Sequence, residues 1–279
     1  HDGKFKGGLY AVLANIHPPA PGVNLEVQPY ARAGGSWVYR PDTSDSESDA
    51  GFDVRYHVTP QFTVDATYNT DFAQVESEQE VVNVTRFNIY LPEKRDFFLE
   101  NAGLFNFSMT SSAGEYYDED ADFILFNSRT IGIHGGKRTP LYGGAKVAGR
   151  VGKYSIGAMN IQSERTPLGD GRDAPSTNYS AFRVKRDILS NSYIGLMALN
   201  SQPGGGDWSR TLGADAYLAF TDEFYAKGSL ARTFEEDDPG HDLAGDVRVS
   251  LVKDWMNVSV SHTSDRKSTR LNSSHRIRS

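Results

Sequence analysis

The stretch GFDVRYHVTPQFTVDATYN, residues 51–69, decides the fold. Phe52, Val54, Tyr56 and Val58 fall on one side of the chain, and Asp53, Arg55 and His57 on the other. After Thr59–Gln61 the alternation resumes, with Phe62, Val64, Ala66 and Tyr68 set against Thr63, Asp65 and Thr67. Neighbouring side chains of a strand point to opposite faces, so this period of two predicts two strands joined by a tight turn, each with one apolar and one polar face. TLGADAYLAF (211–220) and GDVRVSLVK (245–253) carry the same pattern, while helical spacing is scarce throughout.

The connections narrow the architecture. Beyond residue 142 the turns near Gly152–Lys153, Asp187–Asn191, Thr221–Glu223 and Lys253–Trp255 are short. Between them lie longer polar loops at 164–176, 201–210 and 235–242. Regular alternation of short turns and long loops suits an antiparallel up-and-down transmembrane β-barrel whose two ends face different compartments. A soluble sandwich has shorter strands and no reason to alternate its loop lengths. A propeller would repeat roughly every 40 residues, and no such repeat is visible. No apolar run approaches the ~18 residues of a membrane helix, so any crossing is made by strands. Low hydropathy agrees with this, because only every second residue of such a strand faces lipid.

Composition removes several chemistries. The chain has no cysteine, which excludes disulfides, thiol nucleophiles and cysteine metal sites. Residues 265–279, DRKSTRLNSSHRIRS, are basic and aperiodic. DRKSTRLNSSH resembles a translated sequencing adapter, so 265–279 is expected to be unstructured and foreign to the fold. The 1–264 portion is then read as a barrel fragment truncated at both ends. Without its basic tail the body is more acidic than the −7 of the whole chain, which argues against a nucleic-acid partner.

LPEKRDFFLE (91–100) sets Glu93, Lys94, Arg95 and Asp96 between Tyr90 and the Phe97–Phe98 pair. Mixed charges survive away from water only when paired and hydrogen-bonded. Two readings follow: a structural ion-pair network, or a charged constriction inside the lumen that contacts a ligand. The candidate lumen cluster comprises Arg86, Glu93, Lys94, Arg95, Glu100 and Arg129. Segment 70–133 alternates poorly, so much of it is expected to fold inward, with Tyr90, Phe97 and Phe98 against the wall. The acidic runs 115–122 and 235–242 are read as solvated loops rather than calcium sites. Trp37, Trp208 and Trp255 suit an interfacial aromatic girdle. No catalytic motif, metal site or cofactor site is expected. Histidines are scattered, and a carboxylate pair of glycosidase spacing is a property that sequence cannot supply.

Residues 51–105, FNSRTIGI (126–133) and GGAKVAGRVGKYSIGAMN (143–160) resemble a bacterial family of outer-membrane β-barrel domains of unknown function. Its members usually follow a domain like the family 9 carbohydrate-binding modules. The resemblance covers roughly 20–165 and implies a bacterial outer-membrane location, a lipid partner and a carbohydrate-binding half upstream of His1. The function it implies is envelope binding or passage, with oligo- or polysaccharide as ligand. Two alternatives stand beside it, a glycoside-hydrolase-type enzyme and a purely structural surface anchor.

Overall fold

The alternating stretch forms an antiparallel hairpin in a computed structural model of the chain, in which β2 (Asp42–Thr59) lies against β3 (Phe62–Tyr68). The structure describes residues 24–39, 42–70, 93–108, 124–134, 137–168, 173–189, 191–236, 242–253 and 256–265. Arg86, Tyr90, Trp255, the acidic run 115–122 and the tail from residue 266 lie outside them, as does the side chain of Trp37.

The hairpin belongs to one eleven-stranded antiparallel sheet. β1 (Leu25–Tyr39) flanks β2 at one edge. Beyond β3 come β6 (Leu141–Val151), β7 (Tyr154–Ser163), β10 (Thr177–Ile188) and β11 (Ser192–Pro203). The order ends with β12 (Ser209–Ala219), β13 (Phe224–Glu235), β14 (Asp242–Lys253) and β15 (Met256–Asp265). Each wall strand pairs with the next wall strand in the chain, which is the up-and-down order expected from the turns. Two small ribbons, β4 (Ile133–His134) with β5 (Lys137–Arg138) and β8 (Thr166–Pro167) with β9 (Asp173–Ala174), stand outside it.

The turns fall where their lengths placed them. Gly152 turns β6 into β7 with a φ of +60°, a conformation in which a side chain would be strained. The sheet is open among the described residues, with β1 and β15 at its two edges rather than paired, and it is not closed into a barrel. Eleven of its strands are described, and between Tyr68 and Leu141 the described residues add no wall strand, since β3 pairs directly with β6. That segment leaves and returns at the loop-bearing end of the wall, because Tyr68 lies opposite Gly143. β15 runs through Asp265, one residue past the expected boundary.

Sidedness is the property that the alternation carried. Leu212 and Val247 are each 57 % exposed on the outer face, and Phe52 and Val249 are also exposed there. Asp65, Asp215, Asp246 and Arg248 point inward and are buried. The buried apolar residues lie between the inner face and the inserted segment. Phe97, Phe98, Phe105, Phe107, Leu125 and Ile131 pack on wall residues such as Met159, Ile161 and Leu199.

Candidate functional site

The inner face is a polar surface occupied by a short irregular insert. Residues Asp96–Leu99 form a single helical turn, α1, and two 3-10 turns follow at Ala102–Phe105 and Ser128–Thr130. Such short turns are not stable alone, so their order comes from packing on the wall. Glycines make room for that approach. A Cβ on Gly213 would meet Phe107 and Leu125 at 2.8 Å, and one on Gly157 would meet Leu104 at 2.8 Å. Ordinary contacts are longer, so the insert sits as close as it does because these wall positions lack side chains.

Three charged groupings hold the insert. The first is its own knot. Arg95 Nε and Nη2 donate to the two Glu93 carboxylate oxygens at 2.8 and 2.7 Å. The same guanidinium donates to the carbonyls of Ile131 and Ser128, at 2.8 and 2.7 Å, and lies 4.1 Å from the centroid of the Phe98 ring. Glu93 also accepts from the Ser128 hydroxyl at 2.8 Å. Burial works against the Glu93 carboxylate. The hydrogen bonds and charge of Arg95, with the Ser128 hydroxyl, outweigh it and hold the group below the ordinary carboxylate value. The knot ties segment 93–108 to segment 124–134.

The second grouping joins insert to wall beside β3 and β6. Lys146 is 2 % exposed, and its ammonium donates to the carbonyls of Phe97 and Glu100. It also stands 3.5 Å from Asp65, which accepts from Arg55 Nε at 2.9 Å. Arg55 reaches Glu100 at 3.7 Å and Glu26 at 3.5 Å. A lysine buried among carbonyls and a carboxylate keeps its donors satisfied, which is what such a position requires.

The third grouping is the most enclosed. Arg183 and Asp215 meet through two parallel hydrogen bonds of 2.6 and 2.7 Å. Asp215 also accepts from the Tyr193 hydroxyl at 3.2 Å and from the Ser108 N–H of the insert at 3.1 Å. The Ser108 hydroxyl donates to Asp246 at 3.2 Å, and Ser229 donates to the same oxygen.

Of the six residues read as one lumen cluster, the five that are described are distributed rather than gathered. Glu93 and Arg95 pair with each other, and Glu100 turns to Arg55 and Lys146. Lys94 lines a cavity of about 200 Å³ with Gln28, Tyr30, Asp53, Thr70 and Asp96. Arg129 is buried in the turn at Ser128–Thr130, where its backbone N–H donates to the Asn127 side chain. Arg86 lies outside the described residues. Sequence reading set Asp215 on the polar, inward face of its strand but gave it, Lys146, Arg183 and Asp246 no part in a site. The available signal was a charged residue at an inward position of an alternating strand.

Residues 21–202 match the family model described as Domain of unknown function (DUF5916). No curated protein matches the chain.

Proposed function

The chain belongs to the DUF5916 family, and from the geometry of this member we propose a bacterial outer-membrane β-barrel domain. Its wall crosses the bilayer and its lumen is occupied by the insert, as an envelope binding or passage module. One observation carries the reading, the inverted sidedness of the sheet. Large apolar side chains stand exposed along the outer face of consecutive strands, while charged groups are buried on the inner face. A water-soluble monomer rarely leaves a contiguous apolar surface this extensive, and a lipid-facing wall requires it. Aromatic rings at the short-turn end, with Phe220 stacked on Phe224 at 5.1 Å, suit an interfacial belt. No helix among the described residues is long and apolar enough to cross a membrane, so strands would make the crossing.

Binding or passage is favoured over hydrolysis because three of the buried carboxylates are engaged by cations, Asp215 by Arg183, Asp65 by Arg55 and Glu93 by Arg95. A general acid needs a proton to give, and Arg95 with the Ser128 hydroxyl holds the Glu93 carboxyl, against its burial, in the ionised form instead. Oligo- or polysaccharide is the ligand class of this reading. It rests on the sequence resemblance alone, which implies a carbohydrate-binding domain ahead of the barrel.

The absence of cysteine makes the test clean. Single cysteines at Leu212, Val247 and Thr211 are labelled with an environment-sensitive fluorophore after reconstitution into phosphatidylcholine vesicles. Nitroxide at mid-chain of the lipid should quench the two outward labels strongly and the Thr211 label weakly. Labels that remain water-exposed, or a chain washed from the vesicles by alkaline carbonate, would overturn the proposal.

A further inference from the structure

A groove of about 690 Å³ opens on the outer face of the wall, where small side chains interrupt the apolar surface. Ala214, Ala216 and Gly228 form its floor, between the larger and exposed Ile194, Leu196, Leu230 and Val247. The groove follows one cross-strand row, Arg186, Ile194, Ala216, Gly228 and Val247, in direct register from β10 to β14. Neighbouring strands stand about 4.8 Å apart, so the row is about 19 Å long. It also climbs the wall. Arg186 lies two residues from the short-turn end of β10 at Ile188, whereas Val247 lies six residues from the short-turn end of β14 at Lys253. A groove of that length and slope, rising from the rim into the apolar face, suits an acyl chain entering one leaflet of a hydrocarbon core about 30 Å thick.

One cation stands at the rim end of the groove. Arg186 is exposed there, with its guanidinium 5.5 Å from the centroid of the Tyr154 ring. It makes no hydrogen bond or ion pair among the described residues. The adjacent carboxylate, Asp187, falls on the opposite face of the strand and is paired with Arg150. Asp215 and Asp246 reach the groove from behind, but their carboxylates are bonded on the inner face, to Arg183 and to the Ser108 and Ser229 hydroxyls. The groove therefore joins an apolar channel to a guanidinium that has no anion. Phosphate answers a guanidinium fork in shape as well as charge. A tyrosine, apolar in its ring and polar at its tip, suits the same interfacial level.

We infer that the groove seats one phospholipid of the leaflet on the short-turn side. Its phosphate would pair with Arg186, and one acyl chain would run along Ile194, Ala216, Gly228 and Val247. The inference rests on the membrane reading above and adds to that wall one site of defined headgroup chemistry.

Native mass spectrometry of the detergent-solubilised chain tests this with dioleoyl phosphatidylglycerol, dioleoylglycerol and glycerol phosphate as probes. The phospholipid should be retained about tenfold better than dioleoylglycerol, as one charge-assisted contact suggests. Arg186→Gln should lose that preference, and Arg186→Lys should keep part of it. Ala216→Leu fills the groove without changing charge and should lower retention of both lipids. Its added bulk faces outward, so its folding into vesicles should match wild type. Lys227→Gln, one residue from Gly228 and on the opposite face of β13, should retain both lipids as wild type does. Equal retention of the two lipids, indifference to Arg186→Gln or to Ala216→Leu, an equal loss in Lys227→Gln, or displacement of the phospholipid by millimolar glycerol phosphate would overturn it. A chain that enters vesicles yet shows no headgroup preference refutes this inference alone, whereas one that never enters them refutes the membrane reading.

Discussion

Arg183 and Asp215 are bonded at two points across an intervening strand, and neither side chain is exposed to solvent. Their strands, β10 and β12, are both neighbours of β11, whose Gly195 lies opposite Asp215 in register. The carboxylate also takes a hydrogen bond from Ser108, so the pair fastens the insert to the wall. Removing one partner of such a pair strands the other charge in a dry site, at a cost of about 3–5 kcal/mol. Asp215→Ala should lower the urea midpoint accordingly in detergent micelles. The double variant Arg183→Met, Asp215→Leu should be more stable than Asp215→Ala, because no uncompensated charge remains. A double variant no better than the single one would show that the pair's charge is not what holds this site.

Gly195 supplies the space through which that pair closes. A Cβ there would lie 2.5 Å from the Asp215 carboxylate and 2.8 Å from the Arg183 guanidinium. Gly195→Ala should therefore push the two apart and cost about 1–3 kcal/mol, as overpacking of a filled site does. Gly34, around which nothing lies within 4 Å, provides the matched control, and Gly34→Ala should leave the urea midpoint close to wild type. Equal midpoints for the two variants would contradict the crowding seen at Gly195.

The Glu93 knot should give the insert a dependence on acid. Its carboxyl is held below the ordinary value of 4.5 in the folded chain, through Arg95 and Ser128 against the opposing effect of burial. A depressed folded value means that the ionised form stabilises the fold. That contribution is fully present above 4.5 and is lost as pH falls below it, through the folded value. Protease nicking between residues 93 and 108, followed from pH 6 down to pH 2 with an acid-active protease, should rise in that window. Glu93→Gln should nick readily at both ends of the range and flatten the profile. A wild-type profile that is itself flat would remove Glu93 as the acid-sensitive group.

The outer face makes a depth-dependent prediction. Val247 stands 57 % exposed in the middle of β14, flanked in register by Gly228 on β13 and His262 on β15. Val247→Arg should cost about 2–4 kcal/mol for folding into vesicles, the expected cost of a cation on a lipid face near mid-membrane. Asn160→Arg, toward the loop end of β7 where Asn160 donates to Asn178 and Ser180, should cost about 0–1 kcal/mol. Equal small costs at both sites would mean that the outer face meets water or polar protein instead of lipid.

Local pattern was enough to determine the strands, their sidedness and the ends at which they turn. Alternation at 51–69 and 211–220 fixes which side chains share a face, since the strand repeat is two whatever the partner. Short turns force neighbours in the chain to be neighbours in the sheet. The inward placement of 93–108 and 124–133 was legible only as a failure of alternation, and its contacts were not legible at all. Asp215 meets Ser108 across 107 residues of sequence, and Lys146 meets Phe97 across 49. Local period holds no information at such separations. Glu93 and Arg95 were readable as members of one charge cluster because only Lys94 lies between them. Arg183–Asp215 was not, because it exists only once β10, β11 and β12 are in register and Gly195 leaves a gap between them. The tertiary structure therefore decided which charges pair and where the insert docks. Burial makes an unpaired charge costly, and only the assembled sheet brings each its partner.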